Sequence, residues 1–439
     1  MTINHRALAS SQLYSGDWRE LNLNGRDPAS KRILRASAST HGGSKAQRQR
    51  FCQQTGLMNV GIVCDFTEER WYSMDFVADT LIESLPKIQG MNPRRIRPGM
   101  KLRCSRLPGL RNNRSAANLD RVINRLHDYP CYLKAHAGLD VYHVVDHSYA
   151  NLVHVLPADR VVVTCHDADT FRCLFTPIQE PRSHLFRQIA RHILKGLQKA
   201  SLVACSSMAT CDALVQAGAR PASRLEVVPL GINPVFGPDP DPGADLEVRA
   251  LLGDPDPGRP EVLHVGSVVE RKRIDVLLNV FAAVRKNVPS AVLVRAGGLF
   301  TTSQQKLLND LEITDAVRVF SHLNQRTLAA LYRRAAVTLL PSDREGFGLP
   351  VAEAMACGAP IIASDLPVLR ETGGDAAVYC AAGDPRPWVP ATLALLRERA
   401  VQGEACRQRV AMSLWQASKF TSMEYARRMS ELYSGLAHG

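Results

Sequence analysis

Twice along this chain a short β-branched run ends in a polar loop and hands over to an amphipathic helix. The first series comprises MNVGIVCDF, with Val60–Cys64 as a buried strand, then DVYHVV (140–145), RVVVTC (160–165), SLVACS (201–206) and LEVVPL (225–230). Helical patterns separate these runs: SMDFVADTLIESL, with Ser73 as its N-cap candidate, SHLFRQIARHILKGLQKA and SMATCDALVQAGA. A second series follows, with strands EVLHVG (261–266), AVLVRAGG, VRVFS, VTLLPS and PIIAS and helices RIDVLLNVFAAVRKNV and RTLAALYRRAA. Strands that alternate with helices dictate a parallel sheet covered on both faces. The stretch between the series is rich in proline and aspartate, which predicts a linker or domain boundary over 237–260 with room for a short helix inside. The expected organisation is therefore a first doubly wound domain over 58–236, the linker, a second over 261–412, and a terminal helical stretch over 413–439 that returns to the first. Ligands of such open sheets bind beyond the carboxyl ends of the strands, so the chemistry is expected in strand-to-helix loops.

Composition narrows the setting. No apolar run approaches the ~18 residues that suggest a membrane span, and the first twenty residues lack the apolar core of a cleavable leader. The eleven cysteines are scattered with no CxxC pair, which predicts reduced thiols and a cytoplasmic location rather than a disulfide framework or zinc site. The net charge of +12 is uneven: residues 1–57 hold nine Lys/Arg against three Asp/Glu, and 91–114 hold eight basic residues and no acid. The first stretch is expected to be a disordered basic extension. The second is expected to be either a solvated loop or a patch that attracts nucleic acid, anionic lipid or a phosphorylated substrate; its 94–114 part would make a peripheral contact at the inner face of a membrane, argued from charge alone.

One loop carries most of the chemistry. VTLLPS is followed by DREGFG and then LPVAEAMACGAPIIASD, with Glu345 in the loop and Glu353 eight residues on. Pro350 suits the start of a helix that Gly358 and Pro360 end, so Glu353 is expected in its first turn, at the mouth of the cleft. A carboxylate there can accept two hydroxyls of a ribose diol, and Gly346 and Gly348 leave backbone N–H groups bare for a sugar or phosphate. A second loop, HVGSVVERKRIDVLL (264–278), places Arg271 and Lys272 just before a helix. Two cations beside a helix N-terminus suit a diphosphate without Mg²⁺. In the first half, His166 in TCHDAD and Asp146, His147 and Ser148 in DHSYA end strands, and Ser73 follows the first strand's loop. The DAD triplet at 167–169 is too common a pattern to indicate a metal site; none is expected.

GSVVERKRIDVLL, LAALYRRAAVTLLPS and EGFGLPVAEAMACGAPIIASD, in that order, resemble the family 4 retaining glycosyltransferases, with their glutamates eight apart around EGFGLP. The resemblance covers about 58–436 and implies the α/β GT-B fold, two Rossmann-like domains facing across a cleft. It implies transfer of a sugar from a nucleotide diphosphate sugar to a glycan or lipid-linked hydroxyl acceptor, with retention at the anomeric carbon and no cofactor or required metal. No nucleic-acid partner is implied. Carried over, Glu345, His166, Arg271 and Lys272 would be catalytic. Glu353, Gly346, Phe347, Gly348, Leu349, Gly266 and Ser267 would bind the donor, and His147, Ser148 and Ser73 would face the acceptor. Two departures stand out: EERWYS replaces a Gly-Gly loop after the first strand, and Ser267 stands where many members have arginine. A GT-B-fold epimerase, a phosphorylase or an inactive nucleotide-binding scaffold remain alternatives.

Overall fold

The computed structural model describes residues 56–438 apart from 70, 111–112 and 136–137. The expectation of a disordered extension thus falls on residues outside those described, save at its last two positions. Two six-stranded sheets organise the rest, every strand pairing parallel with its neighbours. The first contains β1 (Met58–Val63), β2 (Met91–Ile96), β3 (Val141–Val144), β4 (Val161–Cys165), β5 (Leu202–Cys205) and β6 (Leu225–Val227), in the order β2-β1-β3-β4-β5-β6. The second contains β7 (Glu261–Val265), β8 (Val292–Ala296), β9 (Val317–Phe320), β10 (Val337–Leu340), β11 (Ile361–Ser364) and β12 (Val378–Cys380), in the order β12-β11-β10-β7-β8-β9.

These orders say where a ligand belongs. The strand sequence reverses direction between β1 and β3 in the first sheet and between β7 and β10 in the second. At such a switch point the flanking loops diverge to opposite faces and leave a crevice. The loops after β7 and β10 carry Arg271, Lys272 and Glu345, and those after β1 and β3 carry Asp65, Asp146 and His147. β3 and β4 are buried at every position, as expected of central strands covered on both faces.

Two crossings join the halves. Ile232 forms a parallel bridge with Thr421, and Ile232 N–H donates to Phe420 O at 2.8 Å. The helix Ser422–His438 then lies against the first sheet, where the Tyr433 hydroxyl meets His143 Nδ1 at 2.7 Å. His143 Nε2 meets Thr164 Oγ1 at 2.7 Å, and burial pulls this imidazole down to about 3, so it stays neutral.

The stretch expected as a linker holds the helix Pro242–Leu252, capped by Asp241 and ended at Gly253. It packs on the helix Gln325–Arg334, with Asp241 taking both Arg326 contacts at 2.7 Å and Asp245 meeting Arg333 at 3.3 Å. Ser73 is not an N-cap: the helix Tyr72–Ser84 begins behind Trp71, two residues earlier than that cap requires, and Ser73 lies exposed in its first turn. The basic run at 91–114 is not a loop throughout, because 91–96 is the edge strand β2. Much of its charge is neutralised: Arg95 pairs with Asp79, Arg97 with Asp75, and Lys101 and Arg103 with Asp128. No helix among the described residues is long and apolar enough to cross a membrane.

Candidate functional site

β10 ends at Leu340, and the chain runs through Pro341–Gly348 before the helix Leu349–Ala356. Gly348 is the N-cap at φ 91° and ψ 47°, a left-handed conformation that costs glycine little. Pro350 occupies the second helical position, where its missing N–H costs no helical bond. Glu353 is therefore the fifth helical residue and lies in the second turn rather than the first.

Glu345 lies almost wholly buried between the two loops of the second switch point. Its Oε1 accepts from Lys272 Nζ at 2.5 Å and from Ser342 Oγ at 2.7 Å, and its Oε2 from Arg271 Nη1 at 3.3 Å. Burial pushes this carboxyl up, but Lys272 and Arg271 outweigh it and hold Glu345 below the usual carboxylate range. Arg271 also donates to Arg344 O at 2.9 Å, and Asp343 N–H donates to Arg271 O at 2.8 Å. The two loops are thus one hydrogen-bonded unit. Lys272 has three donors and Arg271 five, so both keep donors to spare for an anion.

Glu353 has the opposite electrostatics. Among the described residues only the Tyr332 hydroxyl donates to it, at 3.0 Å, and burial pushes its carboxyl up to about 7. It sits poised between protonated and ionised forms at neutral pH, and hydroxyl donors reaching it would favour the ionised one.

The loop touches the first sheet directly. Gly346 lies so close to β4 that a Cβ would stand 2.0 Å from the His166 carbonyl oxygen. Its own carbonyl accepts from Ser206 Oγ at 3.0 Å and Ser207 Oγ at 2.9 Å. Beside it, both Glu371 carboxylate oxygens accept from the first-turn N–H groups of Met208 and Ala209, at 2.7 and 2.8 Å, so one domain caps a helix of the other. Asp169 lies 3.8 Å from both Arg271 and Arg344, and Arg344 donates to Glu180 at 2.8 Å.

On the first-domain side His166 is buried, with Nε2 on Val145 O at 2.8 Å and Nδ1 without a partner among the described residues. Burial lowers its basicity, so Nε2–H donates to the carbonyl and Nδ1 presents a bare lone pair. His147 bridges Thr170 Oγ1 at 3.1 Å and the Asp146 carboxylate at 3.4 Å. Ser148 is committed to Asp146, to which both its N–H and its hydroxyl donate. Asp65, after β1, is 2% exposed and neither carboxylate oxygen has a partner among the described residues. Burial and the neighbouring Asp146 push it well above the usual range, so it holds a proton.

The sequence-assigned residues do not all reach the crevice. Glu345, Arg271 and Lys272 form one constellation, with Gly346 against His166. The Phe347 ring instead packs into the core, edge-on to Phe420 with centroids 5.3 Å apart, and only its backbone stays in the loop. Ser267 is exposed, while Gly266 O accepts from Arg295 Nη2 at 3.0 Å. Arg295 is fully buried beneath that loop, without an ion-pair partner among the described residues, and burial pulls it down to about 10. Sequence reasoning missed Arg295, Asp65, Ser206, Ser207 and Glu371. An arginine inside the apolar run AVLVRAGG was the one visible signal among them.

Comparisons with known proteins agree with this geometry. The family described as Glycosyl transferases group 1 matches residues 253–408, and Glycosyltransferase Family 4 matches 80–236. The D-inositol 3-phosphate glycosyltransferase of Streptosporangium roseum is 34% identical over 232 residues, 50% of this chain and 51% of the relative. The GDP-mannose-dependent alpha-(1-6)-phosphatidylinositol monomannoside mannosyltransferase of Mycolicibacterium smegmatis is 32% identical over 152 residues, 33% of this chain and 39% of the relative. The chain thus spans about half or less of the length of these curated relatives. Among solved structures, sucrose-phosphate synthase from Thermosynechococcus elongatus superposes with a TM-score of 0.67 at 19% identity, over 86% of this chain and 99% of that one. Anabaena HepE in complex with UDP-glucose gives 0.61 at 15% identity, over 86% and 100%. The two family matches fall in order on the two sheets, and the chain belongs to the family 4 glycosyltransferases with the GT-B fold.

Proposed function

We propose that this protein transfers a sugar from a nucleotide diphosphate sugar to a hydroxyl acceptor, with retention and without a required metal, in glycan or glycolipid assembly. The observation that carries the reading is Glu345, buried and ionised between Lys272 and Arg271 at the second switch point and adjoining the His166 strand end. As the bond from the anomeric carbon to the diphosphate breaks, negative charge builds on the leaving phosphate. Arg271 and Lys272 are fixed in advance by Glu345 and hold spare donors for that charge. Glu353 accepts the ribose diol, and the bare His166 Nδ1 accepts a hydroxyl of the donor sugar. The acceptor oxygen attacks from the face the diphosphate leaves, and its proton passes to the departing phosphate oxygen. Contact of the Gly346 loop with Ser206, Ser207 and His166 excludes water from this region.

The name of one relative supports both the donor class and the assembly setting: it is a GDP-mannose-dependent phosphatidylinositol monomannoside mannosyltransferase. The test is release of nucleoside diphosphate from a panel of nucleotide sugars with lipid and glycan acceptors, with and without chelator. The product's anomeric proton, followed by NMR, reports stereochemistry. Retained configuration with turnover unchanged by chelator is expected. Inversion, or activity restored only by a divalent metal, would overturn the corresponding part. Turnover with inorganic phosphate and no nucleotide would point to a phosphorylase.

A further inference from the structure

The triplet DAD at 167–169 has no part in the donor contacts so far, yet it lies at the crevice. β4 ends at Cys165, and His166 and the triplet form the start of the loop beyond it. Asp169 N–H donates to Asp167 Oδ1 at 2.9 Å, so the loop turns back on itself. The Asp169 carboxylate then faces the second domain, with one oxygen 3.8 Å from Arg271 Nε and the other 3.8 Å from Arg344 Nη1. Neither contact is short enough for a hydrogen bond, so charge alone holds this carboxylate and it can yield its place. The two arginines are anchored elsewhere: Arg271 donates to Glu345 at 3.3 Å and to Arg344 O at 2.9 Å, and Arg344 donates to Glu180 at 2.8 Å.

The charge balance adds a second observation. Burial and Asp167 push the Asp169 carboxyl up, while Arg344 and Arg271 pull it back down. Its ionised form therefore depends on cations it shares across the cleft. Arg271 is also one of the two cations that the transferase reading gives to the diphosphate. A phosphate arriving at Arg271 takes the counter-charge of Asp169, and like charges then meet. The penalty grows with the charge that arrives. In a nucleotide sugar both phosphates are esterified. A free nucleoside diphosphate carries a further negative charge on its terminal phosphate, once the proton taken from the acceptor is lost to water. That charge stands on the oxygen that had held the sugar. On the transferase reading this oxygen faces His166, three residues before Asp169.

We propose that Asp169 distinguishes used from unused donor. As the standing counter-ion of Arg271 and Arg344, it tolerates the nucleotide sugar, repels the more highly charged nucleoside diphosphate and speeds release of that product. Glu345 cannot do this, because hydrogen bonds from Lys272, Ser342 and Arg271 fix it in place. A carboxylate that only tied the two domains together would act alike on both ligands. The proposal rests on the transferase reading and adds to it a positioning residue for product release.

The test is calorimetry of UDP, GDP, ADP and dTDP and their sugar conjugates at pH 8, where the terminal phosphate is ionised, on the wild type and Asp169→Asn. The variant should bind the diphosphate about tenfold more tightly and its sugar conjugate only about two- to threefold more tightly, as expected for one charge removed near the added one. The difference should shrink with salt. In a stopped-flow chase the diphosphate should leave the variant about tenfold more slowly. Asp169→Glu keeps the charge and should keep the wild-type ratio of the two affinities. Asp169→Ser takes the place of Asp169→Asn if that variant does not fold. Equal tightening of both ligands, release no slower than in the wild type, or loss of the ratio in Asp169→Glu would overturn the inference and leave the transferase reading standing. Failure of the wild type to bind any nucleoside diphosphate would count against the transferase reading, and the inference would fall with it.

Discussion

Glu353 gives the sharpest quantitative handle. Its carboxyl is pushed up to about 7 by burial, with the Tyr332 hydroxyl as its one hydrogen-bond partner among the described residues. In the free protein the folded state prefers the protonated form, whereas an unfolded glutamate ionises near 4.5. Stability should therefore fall as pH rises from about 4.5 to 7, by up to roughly 3 kcal/mol, and level off above that. A ribose diol donating to Glu353 needs the ionised carboxylate, so donor binding should run the other way. One pH unit below 7, only about a tenth of the carboxylate is ionised, which costs about 1.4 kcal/mol and about tenfold in affinity. Affinity for a nucleotide sugar should thus rise about tenfold per unit up to pH 7 and saturate near 8. A nucleotide sugar is the right probe, because it lacks the terminal phosphate of a free diphosphate that titrates in the same range. Glu353→Gln should bind about tenfold to a hundredfold more weakly at pH 8, given roughly 1.5–3 kcal/mol for hydrogen bonds to a charged group. Its profile should be flat. Calorimetry across pH 5.5–8.5 measures both proteins. A flat wild-type profile, or a Glu353→Gln variant that keeps the slope, refutes the reasoning.

Other perturbations test neighbouring parts of the account. Gly346→Ala should displace its loop from the His166 strand end, lower the melting temperature and lose more than a hundredfold in turnover, because its methyl group would stand 2.0 Å from the His166 carbonyl oxygen; near-normal kcat would show that the loop contact is dispensable. Asp65→Asn should raise the melting temperature by an amount that grows from pH 5 to pH 8, since the native carboxyl is held protonated by burial and Asp146; a pH-independent difference would contradict the protonated assignment. Tyr433→Phe removes the hydroxyl from His143 and should cost about 1 kcal/mol in denaturant unfolding, a few degrees at most. Arg295→Met should weaken nucleoside diphosphate binding more than nucleoside binding, because the lost charge lies under the Gly266 loop; equal loss for both ligands would make it a packing residue only.

How much of this was legible follows from which interactions are local. β3, β4 and β5 announce themselves because strands buried on both faces need continuous apolar runs. β2 does not: MNPRRI contains a proline and two arginines, tolerable only because the strand is at the sheet edge and half-exposed. β12 is three residues long and offers no period to read. The helix Pro242–Leu252 could be anticipated in its proline-rich stretch but not bounded, because Pro242 and Gly253, read as breakers, are its start and stop signals. Arg271, Lys272 and Glu345 could be assigned to one cleft from their loops, and the structure brings them into contact. Phe347 could not be placed, because a loop's direction decides whether a ring faces ligand or core. Ser206, Ser207 and Glu371 act across more than 130 residues of sequence and leave no local pattern. The acidity of Glu353 likewise depends on burial by segments remote from it in the chain.

The most direct test of the central claim, a nucleotide diphosphate sugar held between the two sheets, is a thermal-shift panel of UDP, GDP, ADP and dTDP with their sugar conjugates, on the wild type and Glu353→Ala. The account predicts a selective upward shift with one base and its sugar conjugate, lost or strongly reduced in the variant. No shift with any nucleotide, or a shift that Glu353→Ala leaves intact, would contradict it.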